Sequence, residues 1–199
     1  TYGLYESNDQ GESFSFNCCG SQPGGFPSNS NLNLMGWQDS GLDDGGQIYY
    51  DVAFAVLPAK KEKMFVGGVN LWHSHDEGIS FFCPSKWSHP EKDEYVHADI
   101  HDIKVYGEDI WLACDGGIWY SNDEGATFNK RFSGISGTNF WGFGIGYGEK
   151  GHRVMIGGAY HNGVQLKDNN VYNNGWNAIE GGDGKAGAVS PVNDRVVHA

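Results

Sequence analysis

No stretch of the 199-residue sequence approaches the roughly 18 consecutive apolar residues that a helix needs to cross a bilayer, so a helical membrane span is not expected. Positive charge is scarce. Thirteen Lys and Arg stand against 25 Asp and Glu, a formal net charge of −12. A surface that acidic repels phosphate backbones, so nucleic acid is not an expected partner and polyanionic substrates are disfavoured. Neutral glycans, proteins and divalent cations remain. Cysteine is equally sparse: Cys18, Cys19, Cys83 and Cys114 include no C-x-x-C spacing, which removes zinc ribbons and thioredoxin-type motifs. Adjacent cysteines rarely pair with each other, so cross-links from Cys18 or Cys19 to Cys83 or Cys114, or free and buried thiols, are the expectations. The chain starts at Thr1 with no initiator Met and no signal peptide, but both ends fall inside a repeat and the start carries no weight.

What the sequence does have is glycine, 31 residues of it, and 14% aromatics, the composition of many short strands joined by tight turns. Three segments superimpose without gaps: GLYESNDQGESF from Gly3, NLWHSHDEGISF from Asn70 and GIWYSNDEGATF from Gly117. Each carries Ser-x-Asp-x-Gly-x-x-Phe, anchored on Ser7, Asp9 and Gly11, on Ser74, Asp76 and Gly78, and on Ser121, Asp123 and Gly125. A fourth copy, GVQLKDNNVYNNGW from Gly163, keeps the entry but replaces the Asp by Asn169 and the Gly by Val171. Asp side chains accept hydrogen bonds from turn amides and Gly supplies a positive φ, so the box is a hairpin device.

Pairs of strand-like runs recur around these boxes. First runs begin at Tyr49, His97, Phe140 and Gly182, and second runs at Lys63, Asp109, Arg153 and Arg195. Strand, turn, strand, turn, box hairpin and strand give four strands in about 46 residues, the size of a propeller blade. The expectation is an all-β propeller of four-stranded blades. It divides into a blade fragment at 1–16, a loop excursion at 17–48, blades at about 49–90, 97–132 and 140–178, and a blade fragment at 182–199. A closed ring needs at least four blades, so the chain is expected to cover only part of one, completed by further blades or domains of the same protein.

On these residues the sequence resembles the Asp-box (BNR-type) β-propellers, a group that includes sialidases, sortilin-like receptors and xyloglucanase-type glycoside hydrolases. It is most similar to the propellers of large secreted bacterial surface proteins labelled glycosyl-hydrolase- or sortilin-like. The likeness is carried by VGGVNLWHSHDEG from Val66, HADIHDI from His97, CDGGIWYSNDEGATF from Cys114, GGAYHNG from Gly157 and GGDG from Gly181. Where that family carries Gln-Asp before Asn-Gly, this chain has Tyr160 and His161. The resemblance implies a secreted or cell-surface location, and its hydrolase label is an analogy of fold rather than of site.

The box residues are expected to build turns on outer hairpins. Tyr5, Trp72 and Trp119 share a repeat position, as do Phe14, Phe81, Phe128 and Trp176; both sets, with Trp111, are expected in the core. Trp37, Trp87 and Trp141 share no repeat slot and are ligand-binding candidates; Trp37 and Trp87, in polar loop sequence, are loop anchors first and sugar-stacking platforms second. First strands line a propeller's channel, where Asp51, Asp99 and Asp183 stand at strand openings in three blades. A glycoside hydrolase needs two carboxylates flanking the scissile bond. A sialidase also needs clustered arginines, and the scattered Arg131, Arg153 and Arg195 argue against that activity.

Strand alternation places His97, Asp99 and His101 on one face as a polar, ligand-binding site, with Asp115 or Asp183 adjoining. A hydrogen-bond network is the first expectation there, a divalent metal such as zinc the second and acid–base catalysis the third. Positions two apart lie roughly 6–7 Å along a strand, a spacing that counts against one ion. No cofactor is firmly implied. The leading functional expectation is a non-catalytic recognition or scaffold module that binds glycans or proteins. The alternative is a glycoside hydrolase, xyloglucanase-like rather than sialidase, using Asp99 with Asp51 or Asp183.

Overall fold

The computed structural model describes residues 3–20, 27–28, 31–135, 137–146, 154–160, 162–169, 171–173, 175–193 and 195–199. Arg153, His161 and most of the loop from Ser21 to Asn31 lie outside the described residues. Among the described residues all regular structure is β, and no helix is long and apolar enough to cross a membrane. The chain divides into two compact units, Thr1–Gly134 and Ile135–Ala199.

The first unit opens with the hairpin β1 (Leu4–Glu6) and β2 (Ser15–Cys18). Two four-stranded antiparallel meanders follow. The first is β3 (Ala53–Leu57), β4 (Lys60–Gly67), β5 (Leu71–Ser74) and β6 (Phe82–Ser85). The second is β7 (Ile100–Tyr106), β8 (Asp109–Cys114), β9 (Gly117–Ser121) and β10 (Asn129–Lys130). Their first strands, β3 and β7, lie side by side, and the Ile100 amide donates to the Gly68 carbonyl at 2.9 Å. Gly67 permits that approach, because a Cβ there would come 2.6 Å from Ile100 Cγ2. Leu57, Phe65, Leu71, Ile100, Ile110, Leu112 and Trp119 fill the space between the two sheets. Meanders meeting through their first strands are the blade arrangement of a β-propeller.

The second unit repeats the plan with β11 (Phe140–Ile145), β12 (Val154–Ala159), β13 (Gly163–Asp168) and β14 (Asn177–Glu180). Beside β11 and β12 lies β15 (Ala188–Val189), paired with β16 (Val197–His198). The fourth box has lost its Asp and Gly, yet its hairpin still forms, because β13 and β14 hold the register Val164–Glu180 and Leu166–Asn177.

The three Ser-x-Asp-x-Gly turns have one geometry. The Ser hydroxyl donates to Asp Oδ1 at 2.8, 2.8 and 2.7 Å for Asp9, Asp76 and Asp123. The Gly amide returns to the Ser Oγ at 2.7, 2.9 and 2.9 Å. A second hydroxyl residue, Ser13, Ser80 or Thr127, gives each Asp both its amide and its hydroxyl proton. Gln10, Glu77 and Glu124 precede the glycines with φ of 62°, 59° and 61°, so two consecutive residues turn left-handed.

Several core expectations need correction. Trp72, Trp119, Phe81 and Phe128 are buried, but Tyr5, Phe14, Trp111 and Trp176 are exposed. Tyr5 lies in a two-stranded sheet with no inner strands to close over it, and Phe14 lies just before the second strand of that sheet. Trp111 lies on the solvent face of β8 against Tyr120, and Trp176 leans on Phe140 and Phe143 just before β14. The cysteine expectation fails for Cys18 and Cys19 only, since free thiols are one of its alternatives for Cys83 and Cys114. Cys18 and Cys19 are bonded to each other, and Cys83 and Cys114 are free. The left-handed φ of 66° at Cys19 turns the chain there, and both cysteines are buried in one apolar cluster with Leu34, Met35 and Trp72.

Candidate functional site

The polar cluster of the first unit sits where first strands begin and second strands turn into third ones. The box turns occupy the opposite ends of those strands. Gln47 is its hub. Its side-chain amide donates to Asp99 Oδ1 at 2.6 Å and to Asp51 Oδ2 at 3.3 Å, and its carbonyl oxygen accepts from the Trp37 indole at 3.4 Å. Its backbone carbonyl receives the amides of Tyr50 and Asp51 at 2.7 and 3.2 Å, which closes a turn just before β3.

Asp51 and Asp99 are thus brought together, but they are sealed: 1% and 8% exposed. Burial, opposed by the Gln47 hydrogen bond and reinforced by the Asp99 charge, pushes Asp51 up to about 6. Asp183 lies in the second unit and is exposed.

More accessible is the group beside them. His101 Nε2 lies 2.8 Å from Asp115 Oδ1, and the Tyr50 hydroxyl donates to Asp115 Oδ2 at 3.1 Å. The Tyr50 ring meets the His101 ring edge-on at 5.1 Å. Trp37 is 50% exposed and is tied to Trp87 by two routes. The Trp87 indole donates to the Trp37 carbonyl at 3.1 Å, and buried Asn70 bridges the Trp37 carbonyl and the Trp87 amide at 3.3 Å each. One network therefore links two exposed indoles to a Tyr–Asp–His constellation.

The strand-face reading of His97, Asp99 and His101 is overturned. Strand β7 begins only at Ile100, and Asp99 takes a left-handed φ of 64°. His101 is the extra residue of a bulge, since Ile100 pairs with Cys114 and Asp102 with Ala113. A bulge re-aims its side chain and breaks the period of two. His97 turns instead to the Gly116 backbone, where a Cβ would come 2.3 Å from its Cγ, and its Nδ1 lies 3.1 Å from the Ala98 carbonyl. Among the described residues no three His, Cys, Asp or Glu side chains are grouped to hold a metal ion. An apolar pocket of about 150 Å³ beside Cys19, lined by Leu34, Met35, Val52 and Phe54, draws none of its lining from this cluster.

Solved structures similar to the chain include YCF48 from Cyanidioschyzon merolae, with a TM-score of 0.35 and 11% identity over 65% of this chain and 40% of that one. The GH74 xyloglucanase from Xanthomonas campestris gives a TM-score of 0.32 and 15% identity over 69% and 24%. An ancestral GH74 enzyme gives a TM-score of 0.30 and 12% identity over 95% and 30%. The chain spans well under half the length of each. No family model matches the chain, and no curated protein does.

The second unit contains the same bulge. Phe140 pairs with Ala159 and Gly142 with Gly158, so Trp141 is the extra residue of β11 as His101 is of β7. Trp141 therefore does share a repeat slot, contrary to the sequence expectation, and Tyr160 follows β12 as Asp115 follows β8. Sequence reading also missed Gln47 and Tyr50. Both lie in the stretch read as a loop and strand lead-in, and neither repeats in another blade.

Proposed function

We propose that the chain is part of an Asp-box propeller of a secreted or cell-surface protein, and that its first unit recognises a neutral glycan without cleaving it. The observation that carries this reading is the pair of exposed indoles, Trp37 and Trp87, wired through Gln47 to the Tyr50–Asp115–His101 group. Flat aromatic faces suit the C–H faces of sugar rings, and fixed donors and acceptors suit their hydroxyls. The acidic surface favours a neutral ligand over a polyanion.

A glycoside hydrolase using Asp51 and Asp99 is the second reading, favoured by the raised proton affinity of Asp51, the property of a general acid. It ranks lower because a hydrolase must present both carboxyls to the substrate, whereas Gln47 occupies these two and burial covers them. Titration with cellohexaose and maltohexaose, followed by tryptophan fluorescence, tests the binding reading. Saturable binding that Trp37→Ala and His101→Ala each weaken about tenfold supports it. No binding of either probe overturns it. Release of new reducing ends, abolished by Asp99→Asn, would establish the hydrolase instead.

A further inference from the structure

The second unit carries a constellation that the first-unit reading does not use. Trp141, at the crest of the β11 bulge, is 52% exposed. Tyr160 stacks on it with ring centroids 4.6 Å apart and planes 8° from parallel. The Lys185 ammonium lies 4.5 Å from the Trp141 ring centroid. That lysine is exposed and makes no ion pair among the described residues.

Its position is built by two glycines. A Cβ on Gly142 would come 2.8 Å from the Lys185 carbonyl oxygen, and one on Gly158 would come 2.5 Å from the Lys185 backbone nitrogen. The segment carrying Lys185 can therefore seat on β11 and β12 only because both positions lack a side chain. A stacked pair needs neither a bulge nor a cation to be stable. A bulge that raises an indole into solvent, beside a seated lysine in a chain of net charge −12, is an arrangement for meeting something.

We propose that Trp141, Tyr160 and Lys185 form a separate saccharide subsite, selective for a hexuronic acid unit. Tyr160 braces one face of the indole and holds it upright. The pyranose ring stacks on the exposed part of Trp141. Because a hexuronic acid bears its carboxylate directly on the ring, stacking brings that group to the Lys185 ammonium, which leaves the indole for a charge-assisted hydrogen bond while its backbone stays seated. A neutral hexose makes the stacking contact without the ionic one. Acetate makes the ionic contact without the stacking one. Lys185, the one cation of this group among the described residues, pairs with one acidic unit, in keeping with a surface that repels polyanions. This subsite does not depend on the reading of Trp37, Gln47 and His101.

The test follows the Trp141 indole N–H in ¹H–¹⁵N spectra, assigned by its loss in Trp141→Phe, as glucuronate, glucose or acetate is added. Glucuronate should shift that signal saturably with a roughly millimolar Kd, while glucose and acetate, each making one of the two contacts, bind about tenfold more weakly. Lys185→Met should bring glucuronate down to the affinity of glucose. Tyr160→Leu should weaken both sugars, with the remaining spectrum unchanged as proof of folding. His101→Ala should leave the glucuronate response intact, which separates this subsite from the first unit. No saturable shift with glucuronate, equal affinity for glucose in the wild type, or an unchanged Kd in Lys185→Met would each overturn the proposal.

Discussion

The side-chain amide of Gln47 donates to both Asp51 and Asp99, at 3.3 and 2.6 Å. Burial outweighs that hydrogen bond at Asp51, whose pKa rises from 3.8 to about 6, with the neighbouring Asp99 charge adding to the rise. The folded chain then binds this proton more tightly than the unfolded chain. Its contribution is fully present below pH 3.8 and is lost as pH rises through about 6. At about 1.4 kcal/mol per unit, the cost at neutral pH is on the order of 3 kcal/mol. Asp51→Asn should therefore raise the thermal midpoint at pH 7.5 and leave it nearly unchanged at pH 4. Equal shifts at the two pH values would show that ionisation of Asp51 is not the cause.

The box turns titrate in the opposite sense. Asp9 is held down at about 2, first by the Ser13 hydroxyl, then by the Ser13 amide and the Ser7 hydroxyl. What this carboxylate contributes is present above the unfolded value of 3.8 and is lost as pH falls through about 2. In Ser13→Ala the ¹³C carboxyl titration of Asp9 should move upward, toward 3.8, while Ser7→Ala should move it less. A midpoint unaffected by Ser13→Ala would remove the second hydroxyl from the box.

How far this was legible in the sequence depends on whether a residue repeats and obeys local geometry. Strands β3, β7, β8 and β11 fall within the runs read from pattern, while β4 starts three residues before its run, at Lys60, and β12 ends one residue after its run, at Ala159. The hydroxyl at Ser13, Ser80 and Thr127 was legible and missed: it recurs in all three boxes, in GESF, GISF and GATF. His101 and Trp141 were misread for one shared reason, since a bulge inserts a residue and shifts every later side chain to the other face. Gln47 had no signal, because its partners Asp51 and Asp99 come from the entries to two different blades.

The cysteines give a direct chemical check. Cys83 and Cys114 are half-buried thiols, pushed up to about 12 and about 11 chiefly by burial, so neither forms thiolate readily at neutral pH. Native protein should label slowly with iodoacetamide, and unfolded protein without reductant should take two labels, on Cys83 and Cys114. Reductant should add Cys18 and Cys19. Four labels without reductant would refute the adjacent disulfide.

The box glycine invites the reading that it is needed only for its backbone. Gly125 has φ of 84°, and Gly107, in the β7–β8 turn, has φ of 67°. A left-handed residue with a Cβ costs roughly 1–2 kcal/mol, so on conformation alone the two Gly→Ala substitutions should match. Their surroundings differ. A Cβ at Gly107 meets nothing within 4 Å, whereas one at Gly125 would come 2.7 Å from Phe65 Cε1 and 3.2 Å from His73 Cε1. Phe65 and His73 belong to the preceding blade and are both buried, so neither ring can swing into solvent. The box turn of one blade is thus also its contact with the blade before. Overpacking of this kind costs about 1–3 kcal/mol beyond the backbone strain. Gly125→Ala should lower unfolding free energy by that extra amount relative to Gly107→Ala, measured by urea denaturation with an unchanged m-value. If the two variants lose the same stability, the box glycine is there for its φ alone and the blade-to-blade contact is incidental.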